Sequence, residues 1–357
     1  MVLKTRSDGG AIMIKIEYFS RIHHLKQIFT GFHLLGEKLG EKVRLVDRTN
    51  DKKIKTIACK VYYRGKIIVY DVQDGYQDFS SMKNLLSDCD YYFKRSFSKE
   101  ENVKFAERIG EGADISKMHP LGFNYDVTYD WCPINDGTPW KEFIKRMLGQ
   151  KNPPNAYFKK EVIEKLPDYS GGKPKIFFQT RLWDIPEDYP DWKKKQWAWI
   201  NDTRITIVKR LKAEFGPLFD GGVVDTPVDR KLAPEFILPA AHTDRKEYIE
   251  RMKSADICIN TTGLHMSIGG KTGEYIAASR AIVHEKFYYQ VTGDFSEGKN
   301  YLGFTTADEC VAAVKKLIND PELILSMQKN NREYYENYLE PCKLITNSLE
   351  VVFKDKT

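Results

Sequence analysis

Residues 256–285 constrain the fold of this chain more than any other stretch. They read as a strand over residues 256–260, a loop rich in glycine and threonine, a helix over residues 273–279 and a strand over residues 281–284. A strand that returns through a helix to a second strand is typical of parallel α/β sheets. The sequence therefore predicts a doubly wound α/β domain around this unit.

The loop before this helix has the composition of an anion-binding site. Gly269, Gly270 and Thr272 stand near the helix start, where backbone amides lack intrahelical partners and the helix dipole is positive. Such a loop suits a diphosphate, and Lys271 adds charge. Glu274 lies one turn inside the helix, so its carboxylate can reach the two hydroxyls of a ribose. The alternatives are a plain capped loop and an ordinary surface glutamate.

The rest of the chain reads as two successive α/β halves. In the first half, apolar runs predict a helix over about residues 24–39 and strands at residues 14–19, 43–46, 66–70 and 91–94. Residues 149–174 concentrate glycine, proline, asparagine and serine, as a linker does. The second half adds a long helix over about residues 190–215, strands at residues 175–179, 223–225 and 301–304, and closing helices at about residues 307–318 and 321–338. Strands alternating with helices favour parallel sheets in both halves.

Composition excludes several classes of protein. Hydrophobic residues are 41% and charged residues 30%, which excludes a disordered chain. Six cysteines without a C-x-x-C pair exclude a disulfide scaffold and a zinc motif, and suit reduced thiols in the cytoplasm. A net charge of +6 fits an anionic small ligand or an anionic membrane surface better than nucleic acid. No run is long enough to span a bilayer, and no signal peptide is visible. Residues 1–12 look like an added leader.

Two stretches carry a family resemblance. Residues 274–283, EYIAASRAIV, are similar to the helix and strand that read E-x-x-A-x-G-x-P-V-V in GT-B glycosyltransferases. Residues 297–341 resemble the closing segment of exostosin-like and bacterial polysaccharide glycosyltransferases. The resemblance covers about residues 172–345. Met266 stands where many retaining members carry a second glutamate, and Ser279 replaces the motif's glycine. An inverting enzyme and a divergent retaining enzyme both stay open.

The resemblance implies a fold and a domain plan. GT-B enzymes have two Rossmann-like domains that face each other across a cleft. We expect an N-terminal acceptor domain over residues 1–165, a C-terminal donor domain over residues 172–320, and helices over residues 321–357 that pack back on the N-terminal domain. The helix at residues 321–338 is expected to make that crossing. Parallel sheets bind ligands beyond the carboxyl ends of their strands, so the cleft is the expected site.

The resemblance also implies donor-binding residues. In this superfamily the motif glutamate binds the nucleotide ribose and the preceding loop holds the donor phosphates. Many members carry an arginine after the first strand of the second half, here Arg181, to neutralise the leaving diphosphate. An ion pair with Asp184 or Glu187 is the alternative, and Arg204 on the next helix is expected to be solvated or paired. The predicted donor site comprises Arg181, His265, Gly269, Gly270, Lys271, Thr272 and Glu274.

The N-terminal half supplies candidates for catalysis and acceptor binding. His23 and His24 follow the first strand, where GT-B enzymes often keep a base that takes the acceptor proton. Asp71 and Asp74, in an Asp-x-x-Asp-Gly turn, are rival bases, although such aspartates also cap turns. Residues predicted to bind an anionic acceptor are Arg21, Lys94 and Arg95.

We therefore predict a hexosyl-type glycosyltransferase that uses a nucleotide-diphospho-sugar, needs no metal or other cofactor, and does not bind nucleic acid. The resemblance implies a glycan or lipid-linked acceptor and a role in bacterial surface polysaccharide or lipopolysaccharide synthesis. The Trp- and Lys-rich helix at residues 190–215 suggests peripheral contact with an anionic membrane, or simply a packed core helix. A nucleotide-sugar epimerase and a non-catalytic nucleotide-sugar-binding protein remain open. GGKT lacks the spacing of a phosphate-binding P-loop.

Overall fold

A computed structural model describes residues 13–110, 114–129, 132, 134 and 156–354. The predicted leader at residues 1–12 and the first part of the predicted linker, up to residue 155, lie outside the described residues. The described chain forms two α/β domains, each built on one sheet.

The N-terminal sheet is mixed rather than parallel. Its six described strands lie in the order β2-β1-β3-β4-β5-β6. Their bounds are β1 (Met13–Tyr18), β2 (Lys42–Asp47), β3 (Ala58–Tyr63), β4 (Lys66–Asp71), β5 (Tyr91–Lys94) and β6 (Met118–Pro120). β3 runs antiparallel to β1 and β4. A two-residue turn at Arg64 and Gly65, with φ of 47° and 76°, closes the β3–β4 hairpin, since such left-handed turns match the strand twist. The expectation of a parallel sheet in this half is therefore corrected.

Helices cover both faces of this sheet. They are α1 (Lys26–Leu39), α2 (Phe79–Ser87) and α3 (Lys99–Ile109), and a single turn of 3-10 helix, His23–Leu25, precedes α1. Ile28, Phe32 and Leu35 recur at helical spacing on α1 and are buried against the sheet. α4 (Lys160–Ile163) opens the segment that leads to the second domain. There the Lys165 ammonium donates to the Lys253 carbonyl at 2.7 Å, so the C-terminal domain begins its contacts before residue 172.

The C-terminal sheet is parallel. Its five described strands lie in the order β11-β10-β9-β7-β8. They are β7 (Ile176–Thr180), β8 (Phe219–Val223), β9 (Ile257–Asn260), β10 (Ala281–Glu285) and β11 (Tyr301–Phe304). The helices between them are α5 (Asp191–Phe215), α6 (Pro227–Leu232), α7 (Arg245–Ser254) and α8 (Gly270–Ala277), and α9 (Ala307–Asn319) follows β11. The strand order reverses between β7 and β9, which opens a crevice at their carboxyl ends.

The chain returns to the N-terminal domain through its last helix. α10 (Pro321–Tyr334) buries Ile324 and Met327 in the core of the C-terminal domain. After a π-helical turn, α11 (Pro341–Lys354) packs on α1, and the Tyr70 and Ser348 hydroxyls lie 2.7 Å apart. The predicted helix at residues 321–338 reaches the N-terminal domain only at its end, where the Tyr335 and Tyr125 hydroxyls lie 3.2 Å apart, and α11 makes the rest of the crossing. Pro341 lacks an amide proton and starts a new helix there.

The backbones of α1 and α11 approach each other closely at Gly31. A side-chain carbon at Gly31 would meet the Pro341 carbonyl oxygen and lie 2.5 Å from Cγ1 of Ile345. We expect Gly31→Ala to lower the free energy of unfolding by about 1–3 kcal/mol through overpacking, as measured by urea denaturation. Lys38→Ala on the exposed side of α1 is the control, expected within about 0.5 kcal/mol of wild type. Equal midpoints for all three proteins would contradict this packing.

No helix within the described ranges combines the length and the apolar character that crossing a membrane requires.

Candidate functional site

The candidate site lies where α8 of the C-terminal domain meets the N-terminal domain. A side-chain carbon at Gly273 would lie 2.8 Å from Cβ of Tyr125 and 3.2 Å from the Asn124 carbonyl oxygen. Glycine is required there because the two backbones approach so closely. The side-chain amide of Asn124 donates to the His24 carbonyl oxygen at 2.9 Å. A single segment of chain therefore separates the predicted phosphate loop from the predicted catalytic histidines.

Glu274 is a buried, paired carboxylate. It is 3% exposed, which excludes the ordinary surface glutamate. One carboxylate oxygen accepts from the Arg245 guanidinium at 2.7 Å and the other from the Tyr248 hydroxyl at 2.7 Å. Burial alone would lower the pKa of Arg245, but the neighbouring Glu274 charge raises it. Each carboxylate oxygen keeps a second lone pair, so the group can still accept from a pair of ribose hydroxyls.

Positive charge gathers at the carboxyl end of β7. The half-buried Lys271 ammonium donates to the Gln179 carbonyl oxygen. Burial lowers the pKa of Lys271 to about 7. The negative charge of Glu274 opposes this shift, whereas the positive charges of Arg204, Arg181 and Arg245 add to it. The exposed Arg181 guanidinium lies 4.5 Å from the Trp183 ring centre.

Arg204 ties the loops of this crevice together. It is buried, and it donates to Oγ1 of Thr261 at 3.1 Å and to the Arg181 carbonyl at 2.7 Å. These bonds join the loop after β9 to the loop after β7. Burial lowers the pKa of Arg204 to about 10, with Arg181 contributing. The expectation that Arg204 is solvated or ion-paired is therefore corrected, and Arg181 forms no ion pair with Asp184 or Glu187 among the described residues.

The glycine-rich loop is arranged differently from its prediction. α8 begins at Gly270, three residues earlier than predicted, with Gly269 as its N-cap. Gly270 and Lys271 thus occupy the first turn, where amides lack intrahelical partners. Thr272 is buried, and its hydroxyl lies 2.8 Å from the Asn260 amide nitrogen and 3.0 Å from Nε2 of His284. The Thr272 side chain therefore joins β9 to β10 and does not face a ligand.

His265 lies at the contact between the domains. Its backbone is left-handed, with φ of 58°, and its Nδ1 lies 2.9 Å from the Gln77 amide nitrogen. Its carbonyl accepts from the Tyr289 hydroxyl at 2.8 Å, and its ring lies 5.6 Å from the Trp192 ring. Burial lowers the pKa of His265, and Lys193 lowers it further.

The two N-terminal histidines differ in exposure and in electrostatic environment. Burial and the nearby Arg95 lower the pKa of His24 to about 2. His23 is exposed as a residue, and burial of its ring lowers its pKa while Asp126 opposes the shift. Both rings are neutral at pH 7, but only His23 combines exposure with a neighbouring carboxylate.

The structure places the other N-terminal candidates in ion pairs. Asp71 is fully buried and accepts from the Tyr92 hydroxyl at 2.6 Å and the Lys94 ammonium at 3.0 Å. This geometry favours a structural role for Asp71 and Lys94, and it corrects their assignment to the cleft. Buried Arg95 pairs with Asp74. The largely exposed Arg21 pairs with Asp47 at 2.6 Å, at the end of the edge strand β2.

A pair that the sequence did not reveal lies beside Glu274. Nζ of the buried Lys26 is 3.2 Å from Oδ1 of Asp126. Lys26 and Arg245 lie 4.5 Å and 4.4 Å from the centre of the Phe158 ring. Burial raises the pKa of Asp126, against the opposing charges of Lys26, His23 and Arg245.

Buried polar atoms without a hydrogen bond mark the same junction. Nη2 of Arg245 has no hydrogen-bond partner in the described part of the chain, and Nζ of Lys26 and Oδ1 of Asp126 contact each other only as an ion pair. Buried polar groups are normally hydrogen-bonded. No motif identifies this cluster, because its members come from a helix, a loop and the second domain. Within the described ranges, no group of three or more His, Cys, Asp or Glu side chains is placed to hold a metal ion.

A family model matches part of the chain. Residues 235–339 match the model described as glycosyl transferase-like, which covers less than a third of the chain. This stretch contains α7, α8 and Glu274. The two α/β domains in contact and the returning α11 confirm the predicted arrangement of two facing domains with C-terminal helices that cross back. No curated protein matches the sequence.

Several solved structures resemble the chain at low identity. The Anabaena protein Alr3699/HepE in complex with UDP is 10% identical, with 90% of this chain and 89% of that chain covered and a TM-score of 0.44. A glycosyltransferase from Rickettsia africae is 14% identical over 92% of this chain and 81% of that chain, with a TM-score of 0.43. The C-terminal domain of the group 1 glycosyl transferase LpcC from Francisella tularensis is 15% identical over 50% and 96%, with a TM-score of 0.33.

Proposed function

We propose that the protein is a hexosyl-type glycosyltransferase that moves a sugar from a nucleotide-diphospho-sugar to a saccharide acceptor. One observation carries the proposal. Arg245, which pairs with Glu274 of the C-terminal sheet's crevice, and Lys26, which pairs with Asp126 of the other domain, lie 4.4 Å and 4.5 Å from the centre of the same Phe158 ring. A group that binds a donor and a group that takes a proton therefore face each other.

On the donor side, each residue has a distinct task. Glu274 accepts from the ribose hydroxyls, and the first turn of α8 holds the diphosphate. Departure of a nucleoside diphosphate develops negative charge, which Arg181 and Lys271 are placed to meet. We propose that these cations replace a metal ion, so that the reaction proceeds in EDTA.

On the acceptor side, His23 acts as the base. Its neutral ring can accept the proton of an attacking hydroxyl, and the nearby Asp126 carboxylate stabilises the imidazolium that results. His24 is disfavoured because its pKa is too low for efficient proton transfer at pH 7. The acceptor hydroxyl, the base and the anomeric carbon then meet at the contact between the two domains.

The base assignment makes a kinetic prediction. His23→Ala is expected to lower kcat by about 10²–10⁴-fold, since general-base catalysis contributes that much. Asp126→Asn is expected to lower kcat less and to shift the acidic limb of the pH profile to lower pH, because the carboxylate holds the pKa of His23 up. His33→Ala, on α1 but paired with Glu37 instead, is the matched control. Unchanged kcat in His23→Ala would refute the assignment.

The experiment that tests the function separates it from its alternatives. The protein is incubated with UDP-, GDP-, CMP- and dTDP-linked sugars, with and without EDTA and a panel of defined saccharides. Acceptor-dependent release of the nucleotide with a new glycosidic product supports transfer. Conversion of the donor sugar without any acceptor indicates an epimerase. Nucleotide-sugar binding without turnover, which Met266 in place of a second glutamate would favour, indicates a binding protein.

The biological setting is also part of the proposal. The family resemblance supports a lipid-linked or surface-glycan acceptor in bacterial polysaccharide or lipopolysaccharide synthesis, at the cytoplasmic face of the membrane. Contact of α5 with an anionic membrane stays a prediction.

A further inference from the structure

Gln27, in the first turn of α1, is a fully buried polar side chain whose hydrogen bonds join three parts of the chain. Its Oε1 accepts from the Tyr125 backbone N–H at 3.2 Å and from the Asn124 side-chain amide at 3.0 Å. Its Nε2 donates to the carbonyl oxygen of Leu339, in the π-helical turn, at 3.0 Å. Because a backbone N–H can only donate, the contact with Tyr125 fixes which end of the Gln27 amide is the oxygen.

The side chains beside Gln27 hold the next two residues of the same segment. Nζ of Lys26 lies 3.2 Å from Oδ1 of Asp126, and the Thr30 hydroxyl donates to the Val127 carbonyl oxygen at 3.2 Å. Residues 26, 27 and 30 lie within about one turn of α1. The start of α1 therefore holds the four consecutive residues 124–127.

Among these contacts, those of Gln27 are best placed to fix the position of Asp126. They bind the backbone and a side chain of the two residues immediately before Asp126, and a hydrogen bond restricts both distance and angle. Lys26 instead contacts the Asp126 carboxylate as an ion pair without a hydrogen bond, on a long stem that can follow its partner. Lys26 thus neutralises the carboxylate, whereas Gln27 restrains the chain that carries it.

The same segment acts on the proposed base. The Asn124 amide that donates to Gln27 also donates to the His24 carbonyl oxygen at 2.9 Å, which ties the segment to the turn that carries His23. The negative charge of Asp126 raises the pKa of His23, against the burial of the ring. The other titratable or charged groups that act on or contact the His23 ring come from α1, the turn before it, the end of β5 and α8, and they are Lys26, His24, Arg95 and Glu274.

We propose that Gln27 is a positioning residue that holds the Asp126 carboxylate where it acts on the His23 ring, an inference that rests on the proposed function. Gln27 does not contact a substrate, since its amide is buried and bonded to the chain itself. Without this amide, the segment at residues 124–127 loses two hydrogen bonds directly before Asp126, and the carboxylate is no longer held beside the ring.

The test measures how strongly Asp126 acts on His23 with and without Gln27. The pKa of His23 is followed by NMR of the full chain with ¹⁵N-labelled histidine, and its signal is assigned from its absence in His23→Ala. In the wild-type background we expect Asp126→Asn to lower the pKa of His23 by about 1 pH unit, because an opposite charge favours the imidazolium. In the Gln27→Met background the same substitution should lower it by less than half as much.

Gln328 offers a matched control in the C-terminal domain. It is also fully buried, its Oε1 accepts from the backbone N–H groups of Asp168 and Tyr169 at 3.1 Å, and its Nε2 donates to a backbone carbonyl oxygen at 3.5 Å. Gln328→Met removes an equivalent set of hydrogen bonds and should leave the full effect of Asp126→Asn. If a methionine variant does not fold, Gln27→Asn and Gln328→Asn form the second pair, since the shorter amide cannot reach the same partners.

Three results would overturn the proposal. One is an equal effect of Asp126→Asn in the wild-type and Gln27→Met backgrounds. Another is an equal loss of that effect in the Gln328→Met background, which would indicate general loosening. The third is no effect of Asp126→Asn in the wild-type background. Because the titration needs no substrate, its failure is distinguishable from failure of the proposed function, which appears as the absence of glycosyl transfer. Where transfer is measured, Gln27→Met should lower kcat by no more than Asp126→Asn does and leave the nucleotide dissociation constant unchanged.

Discussion

Replacing Glu274 by glutamine is expected to abolish the thermal stabilisation that a nucleoside diphosphate gives the wild-type protein. A ligand at about 100 times its dissociation constant adds roughly 2.7 kcal/mol to the free energy of unfolding. Glutamine keeps the size of the side chain but presents a donor to one ribose hydroxyl and loses the charge. A panel of UDP, GDP, CMP and dTDP, with and without EDTA, would also identify the preferred nucleobase and show whether nucleotide binding requires a metal ion.

The variant needs a control for its own stability. Glu274→Gln leaves the half-buried Arg245 without its counter-ion, which costs about 3–5 kcal/mol when a buried pair is broken. The ligand-induced shift is therefore measured against each variant's own baseline. Glu17→Gln removes another buried, paired carboxylate, far along the N-terminal sheet, and should lower the baseline while keeping the full shift. A nucleotide shift that survives in Glu274→Gln would move the donor site elsewhere.

Local signals predicted most of the fold. The periodic helices and apolar strands of the C-terminal domain, including α5 and β11, lie within a few residues of their predicted bounds. β3 was not predicted because a charged side chain interrupts the apolar pattern of its six residues, ACKVYY, and a polar stretch precedes them. The crossing by helices within residues 321–357 was predicted, but the start of a separate helix at Pro341 was not, because the break at Glu340 and Pro341 is short.

The site could be predicted only where a motif marks it. The sequence places Glu274 on the correct helix because that position depends on one local unit, although α8 begins at Gly270 and not at residue 273. Asp71 and Lys94 also end strands, yet they pair with each other in the interior, and a strand end by itself does not show which way a side chain points. Asp126 has no local signal at all. Its proximity to Glu274 arises only when the two domains come together.

Nucleotide affinity is expected to fall as the pH rises through the pKa of Lys271. In the native protein that pKa is about 7, against about 10.4 in the unfolded chain. Between these values the unfolded state binds more protons, so this group alone makes the free energy of unfolding rise with pH. Its destabilising effect is fully present below about pH 7. A bound diphosphate raises the pKa of Lys271 because its negative charge favours the charged ammonium.

Binding above pH 7 must therefore be accompanied by proton uptake. We expect the dissociation constant for a nucleoside diphosphate to rise by up to about tenfold per pH unit between roughly pH 7.5 and 9. The terminal phosphate, with a pKa of about 6, is already ionised there. Calorimetry in two buffers of different ionisation enthalpy measures the uptake directly. Lys271→Arg should bind with a nearly flat profile, since arginine stays protonated, and Lys271→Met should bind weakly at every pH. Identical slopes for wild type and Lys271→Arg would show that Lys271 does not contact the phosphates.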